Sequence, residues 1–152
     1  MEVYKSIMTR RSIRKFTDET ISDQLSKKLL QAAMQAPSAH NAQPWHFVLI
    51  DNHALMKEIA GFHQYASMLT HSPLAITVCG DTNIEKSSEY LALNCAAATQ
   101  NILLAAHGLD LGAVWLGIYP RNDRMAKLSK LLELPESIIP ISIIAIRIND
   151  EN

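Results

Sequence analysis

The sequence is short of the features that announce most ligands and compartments. Charge of one sign is missing: 14 Lys and Arg stand against 15 Asp and Glu, a formal net charge of -1 in 152 residues. That argues against an overall basic field for nucleic acid or a membrane surface. Cysteine is scarce. Cys79 and Cys95 lie in apolar surroundings (AITVCGD and LALNCAAA), so buried free thiols in a reducing compartment are expected, with a disulfide between them left open. No apolar run approaches the length of a bilayer span, and no charged-then-apolar leader pattern opens the chain, so a cytoplasmic location is expected. Linkers, repeats and low-complexity tracts are absent, which favours a single domain over residues 1–152. Also missing are G-x-G-x-x-G, Walker A, H-E-x-x-H, C-x-x-C and G-x-S-x-G sequences. The six histidines lack close metal-ligand spacing, and His40 and His46 have no evident fixed partner. Metal, dinucleotide-fold and triad mechanisms are therefore disfavoured.

What is present suits a globular protein: 48% hydrophobic and 19% charged residues. The balanced total hides an asymmetry, because Lys5, Arg10, Arg11, Arg14 and Lys15 crowd the first sixteen residues against Glu2. A short helix is expected over residues 2–9. From Ser22 the spacing of Leu25, Leu29 and Ala33 predicts a helix with one buried face, capped by Ser22 and ended by Pro37. Strands are expected over 45–51, 74–80, 112–119 and 137–148, and helices over 52–61 (closed by Gly61), 86–107 (ended by Gly108) and 122–134. Helices and strands mix without strict βαβ alternation, so the fold class is α+β. The alanine-rich helix over 86–107 suits either packing within the chain or a close approach to a second copy.

Three segments could carry chemistry. In TRRSIRKF (9–16), an extended backbone would set Arg10, Ser12 and Arg14 on one side and Arg11, Ile13 and Lys15 on the other. Guanidinium forks flanking a hydroxyl make a phosphate receptor, although a solvated basic stretch has the same composition. In APSAHNAQPWHF (36–47), Asn41 and Gln43 each offer a donor and an acceptor suited to the edge of a heteroaromatic ring, held in a loop stiffened by Pro37 and Pro44. A plain helix–strand connector is the alternative. In GAVWLGIYP (112–120), Gly112 and Gly117 flank a tryptophan, where a glycine marks either a bulge or a close approach of backbone to ligand.

The order and spacing of these segments resemble the nitroreductase family. The carriers are Arg10-Arg11-Ser12-Ile13-Arg14-Lys15-Phe16, then Pro37-Ser38-Ala39-His40-Asn41-Ala42-Gln43-Pro44-Trp45-His46-Phe47, then a long central helix, then Gly112 to Gly117. The likeness runs from Tyr4 to about Ile146. It implies an α+β nitroreductase-like fold with a mixed central sheet flanked by helices, and an intertwined homodimer with FMN at the subunit interface. It also implies electron transfer from NAD(P)H to small acceptors such as nitroaromatics or quinones, by a ping-pong mechanism. Arg10 and Ser12 match contacts to phosphate and ribityl, with Arg11 in the same segment, and Arg14 matches the cation near the flavin N1/O2 edge. Pro37, Ser38, Ala39, Asn41 and Gln43 belong to the loop laid along the flavin by the partner. Trp115, Leu116 and Gly117 match the backbone near N5 and O4. No side chain is implied as catalytic, since flavin N5 carries the hydride chemistry.

Phe62, His63 and Tyr65 are candidates for the open flavin face by position alone. Family members commonly continue into a tail that brings Lys or Arg to the FMN phosphate, whereas this sequence closes on INDEN, with Arg147 as its last basic residue before Asp150 and Glu151. A weaker hold on FMN is expected from that, unless Arg121, Arg124 or Arg147 compensates. Two further readings remain: a flavin-binding dimer with little turnover, or another flavin chemistry of the same superfamily, such as reductive dehalogenation or azoline oxidation.

Overall fold

The computed structural model describes residues 1–149; Asp150 and Glu151, part of the acidic close of the sequence, lie outside them. The elements run α1 (Val3–Thr9), α2 (Asp23–Met34), β1 (Trp45–Ile50), α3 (His53–Phe62), β2 (Leu74–Asp81), α4 (Ser88–Gly108), β3 (Leu111–Gly117), α5 (Asn122–Leu131) and β4 (Ile138–Ile148), with 3-10 turns at Ala39–Asn41 and Ser67–His71. Every helix and strand expected from periodicity is present, with ends shifted by a few residues. The starts of α2, α3 and α4 are set by caps. Ser22, Asn52 and Ser87 stand just outside α2, α3 and α4, and their side chains accept the Leu25, Leu55 and Tyr90 amides at 3.2, 3.1 and 3.2 Å.

Two glycine expectations need correction. Gly61 lies inside α3 rather than closing it, and Gly108 is the last helical residue of α4. The left-handed residue after α4 is Asp110, at φ 61°. Its short carboxylate tolerates that conformation and is tied locally, accepting Asn149 Nδ2 at 3.3 Å.

The four strands form one sheet in the order β1-β2-β4-β3, and every pairing is antiparallel. The mixed sheet implied by resemblance is therefore corrected for the described residues. β2 and β3, joined through α4, do run the same way, because both are antiparallel to β4. β4 inserts between them, so no two parallel strands become neighbours.

Helices cover both faces. On one, Leu29 and Ala33 of α2 and Cys95, Ala98, Ile102 and Ala106 of α4 pack on Ile76, Val78, Ile144 and Ile146. On the other, Met56 and Ile59 of α3 and Leu128 of α5 pack on Ala75, Leu116, Ile143 and Ala145. Successive residues of β4 alternate between the two cores, which explains its almost unbroken apolar run. Cys79 and Cys95 are buried free thiols, as expected, and Cys95 Sγ donates to the Cys79 carbonyl at 3.5 Å. Burial pushes both thiols up to about 12, so neither supplies a nucleophile.

Candidate functional site along the edge of β3

β3 is an edge strand, with β4 on one side only. The chain leaving α1 runs along its other side, where the Ile13 amide donates to the Ala113 carbonyl at 3.0 Å. Further along, the Gly117 carbonyl accepts both His63 Nε2 at 2.8 Å and Arg124 Nη1 at 3.0 Å. Ala113 and Gly117 thus turn their carbonyls away from β4. Backbone groups of same-parity residues share an edge, so Trp115 between them presents its N–H and C=O on that open edge as well. A Cβ added at Gly117 would meet nothing within 4 Å, which leaves this strand end open to a planar ligand. Gly112 has a different role: a Cβ there would come within 2.9 Å of Asn149 Oδ1 and 3.0 Å of Arg147 Nε, so its bareness makes room for those side chains.

Two cavities lie along this edge. One, of about 210 Å³, is lined by Arg10, Arg11, Arg147, His107, Asp110 and Asn149 among others. Three guanidinium-bearing residues around one small space suit a phosphate, with Asp110 as the opposing charge. His107 is fixed there: Thr9 spends its hydroxyl hydrogen on the Lys5 carbonyl at 2.6 Å, so at 2.8 Å it accepts from His107 Nε2. The other cavity, of about 220 Å³, is lined by Arg14, His63, Tyr65, Arg124 and Val114 to Gly117. It holds two arginines and no carboxylate.

The sequence segment 9–16 is therefore divided. Arg10, Arg11 and Ile13 line the first cavity and Arg14 the second, rather than Arg10, Ser12 and Arg14 sharing one side. Arg10 is the C-cap of α1, its amide still bonded to the Ser6 carbonyl, so only Thr9 of this stretch is helical. Ser12 is half-buried and lines neither cavity. Of the candidate compensating cations, Arg147 joins the first cavity, Arg124 the second, and Arg121 neither. Phe62 lies instead in a groove with Leu131 and Lys127 of α5.

The Pro37–Gln43 loop is tightly built. His40, Asn41 and Gln43 have φ of 57°, 52° and 50°. Ser38 Oγ accepts the Gln43 amide at 3.0 Å, Gln43 Nε2 donates to Asn41 Oδ1 at 3.0 Å, and Asn94 Oδ1 of α4 accepts the Ala39 amide at 3.1 Å. Asn94 is 5% exposed, and its Nδ2 has no hydrogen-bond partner. Within one chain this loop lines neither cavity. It sits by Asn94, thirteen residues and about 20 Å of helix from His107.

His63 was a candidate by position alone, and the structure gives it defined bonds. Its Nδ1 accepts the Tyr65 amide at 3.2 Å, so the hydrogen must be on Nε2, which donates to Gly117. Arg124 lies 5.9 Å over the Tyr65 ring, and the His63 and Tyr65 rings meet edge-on at 6.3 Å. Sequence reasoning missed Asn94, His107 and Asp110, whose roles follow only from elements meeting in space.

Comparisons with known proteins bear on the family and the fold. A model of the nitroreductase family matches residues 7–64 and 63–146. A protein of Methanothermobacter thermautotrophicus, provisionally named NADH dehydrogenase/NAD(P)H nitroreductase, is 44% identical over 152 residues, covering 100% of this chain and 80% of its own. A provisionally named NADH dehydrogenase/NAD(P)H nitroreductase structure from Parabacteroides distasonis superposes with a TM-score of 0.94 at 35% identity, covering 99% of this chain and 88% of that one. A provisionally assigned nitroreductase from Desulfovibrio desulfuricans, solved in complex with FMN, gives 0.88 at 32% identity, covering 100% and 91%.

Proposed function

The chain belongs to the nitroreductase family, and on that premise we propose that it binds FMN along the open edge of β3 and passes electrons from NAD(P)H to a small oxidant. It is an oxidoreductase of the NAD(P)H nitroreductase type that uses FMN. The observation that carries the placement is the pair of cationic cavities at either end of one free strand edge.

When bound, FMN supplies the hydride chemistry. The residues supply position and charge. Arg10, Arg11 and Arg147 hold the phosphate, and Ser12 lies on the same segment. Arg14 stabilises the negative charge that reduction adds, since a cation close by lowers its energy in a partly dehydrated site. Trp115, Leu116 and Gly117 present the strand edge to the ring. Donor and acceptor use one open face in turn, which makes the proposed kinetics ping-pong. Nitroaromatics and quinones suit that face as flat, electron-poor molecules.

The remaining ligand-facing groups, Pro37, Ser38, Ala39, Asn41 and Gln43, come in this reading from a second copy of the single domain. Two features support a homodimer. The loop lines neither cavity of its own chain. In addition, Met1, Val3, Tyr4, Ile7 and Met8 of the α1 region are more than half exposed, a patch of large apolar side chains that a second copy would bury, and Tyr90 and Leu93 near the start of α4 are exposed to the same degree. Among the described residues no helix is long and apolar enough to cross a membrane.

Titration of apoprotein with FMN tests the placement. Arg10→Ala should weaken binding by roughly 1.5–3 kcal/mol, about the worth of hydrogen bonds to a charged group. Unchanged affinity in that variant would move the phosphate elsewhere.

A further inference from the structure

We propose that His63 is a positioning residue that, with Arg124, holds the Gly117 carbonyl and so fixes how the open end of β3 meets the flavin. This rests on the FMN reading above and adds to it a named support behind the strand. Gly117 is the last residue of β3 and has no side chain to pack. Its free backbone direction would otherwise be poorly determined, because an edge strand is held by one neighbour only. Here its carbonyl takes two donors, one neutral and one cationic, from separate elements: the segment after α3, and α5.

Each donor is itself held. The Tyr65 amide occupies His63 Nδ1, which commits the imidazole to the tautomer that donates from Nε2. His63 is 2% exposed, so its ring has little freedom to turn. Arg124 lies over the Tyr65 ring and has no ion pair among the described residues; their single salt bridge joins His46 and Asp81. The charge of Arg124 is therefore available to the cavity it lines with Arg14. With its carbonyl pinned, Gly117 would present its amide on the same strand edge to a bound flavin, which accepts it more strongly when reduced and electron-richer.

The test compares binding of oxidised and anaerobically reduced FMN to apoprotein in the parent, His63→Leu, His63→Gln and Arg124→Gln. His63→Leu removes the donor, whereas the side-chain amide of His63→Gln can still donate to Gly117. His63→Leu and Arg124→Gln should weaken the reduced form about tenfold more than the oxidised form. For a two-electron couple that lowers the bound-flavin potential by about 30 mV. His63→Gln should recover most of the loss. Equal weakening of both redox forms, no change in either, or a His63→Gln variant as impaired as His63→Leu would overturn the proposal. His63→Phe, which keeps a buried ring of similar size but cannot donate, keeps the test decisive if His63→Leu folds poorly. A parent protein that binds neither form would overturn the FMN reading instead, and failure of the two is thereby distinguished.

Discussion

His63 carries a consequence beyond the site. Burial holds its imidazole below the usual range, with the nearby Arg124 charge adding to the effect, while the Gly117 carbonyl and Asp123 oppose without cancelling it. The native state thus refuses a proton that the unfolded chain accepts at about pH 6.5. Its contribution favours the fold above that pH and is lost as pH falls below it. Urea unfolding followed between about pH 7 and pH 5 should show the parent losing stability more steeply than His63→Gln; parallel decline of the two would assign the acid sensitivity elsewhere. The arginines at this scale were legible because guanidinium groups clustered in a short stretch have few uses. Asn94, His107 and Asp110 were not. Each stands in a helix or turn with ordinary composition, and acquires meaning only from a loop or strand brought to it by the fold.

At the scale of elements, α4 approaches the sheet closely enough to require a bare backbone. A Cβ at Gly80 of β2 would lie 2.5 Å from Leu91 Cγ and Cδ1. Gly80→Ala should therefore cost about 1–3 kcal/mol by overpacking. Adding Leu91→Ala should cost less in that background than in the parent, because the two side chains compete for one space. Urea unfolding of the four proteins checks this, and strictly additive losses would contradict it. Helix and strand positions were legible from periodicity and caps, since both are local. Strand order was not. β2 and β3 bracket the long α4 in sequence as a parallel pair would, yet β4, the last strand, lies between them. Nothing local records which gap a later strand will fill. Gly108 misled for a related reason: a glycine permits a left-handed turn without requiring one, and the chain made its turn two residues later at Asp110.

For the whole molecule, composition fixed little beyond a globular chain with a cationic start. The fold then sets that start beside the one strand edge left open on the far side of β4, and α1 displays its apolar side chains outward. These features give one account. On the function proposed above, one end of this edge would hold the phosphate, the other would face the ring, and a second copy would lend the loop. Electron transfer through FMN is tested by anaerobic reduction. Protein loaded with FMN, freed of unbound flavin and mixed with NADH or NADPH without oxygen should lose the yellow colour of its bound flavin, then regain it on addition of a nitroaromatic or a quinone. Bound FMN that stays yellow with both nicotinamides would contradict the account.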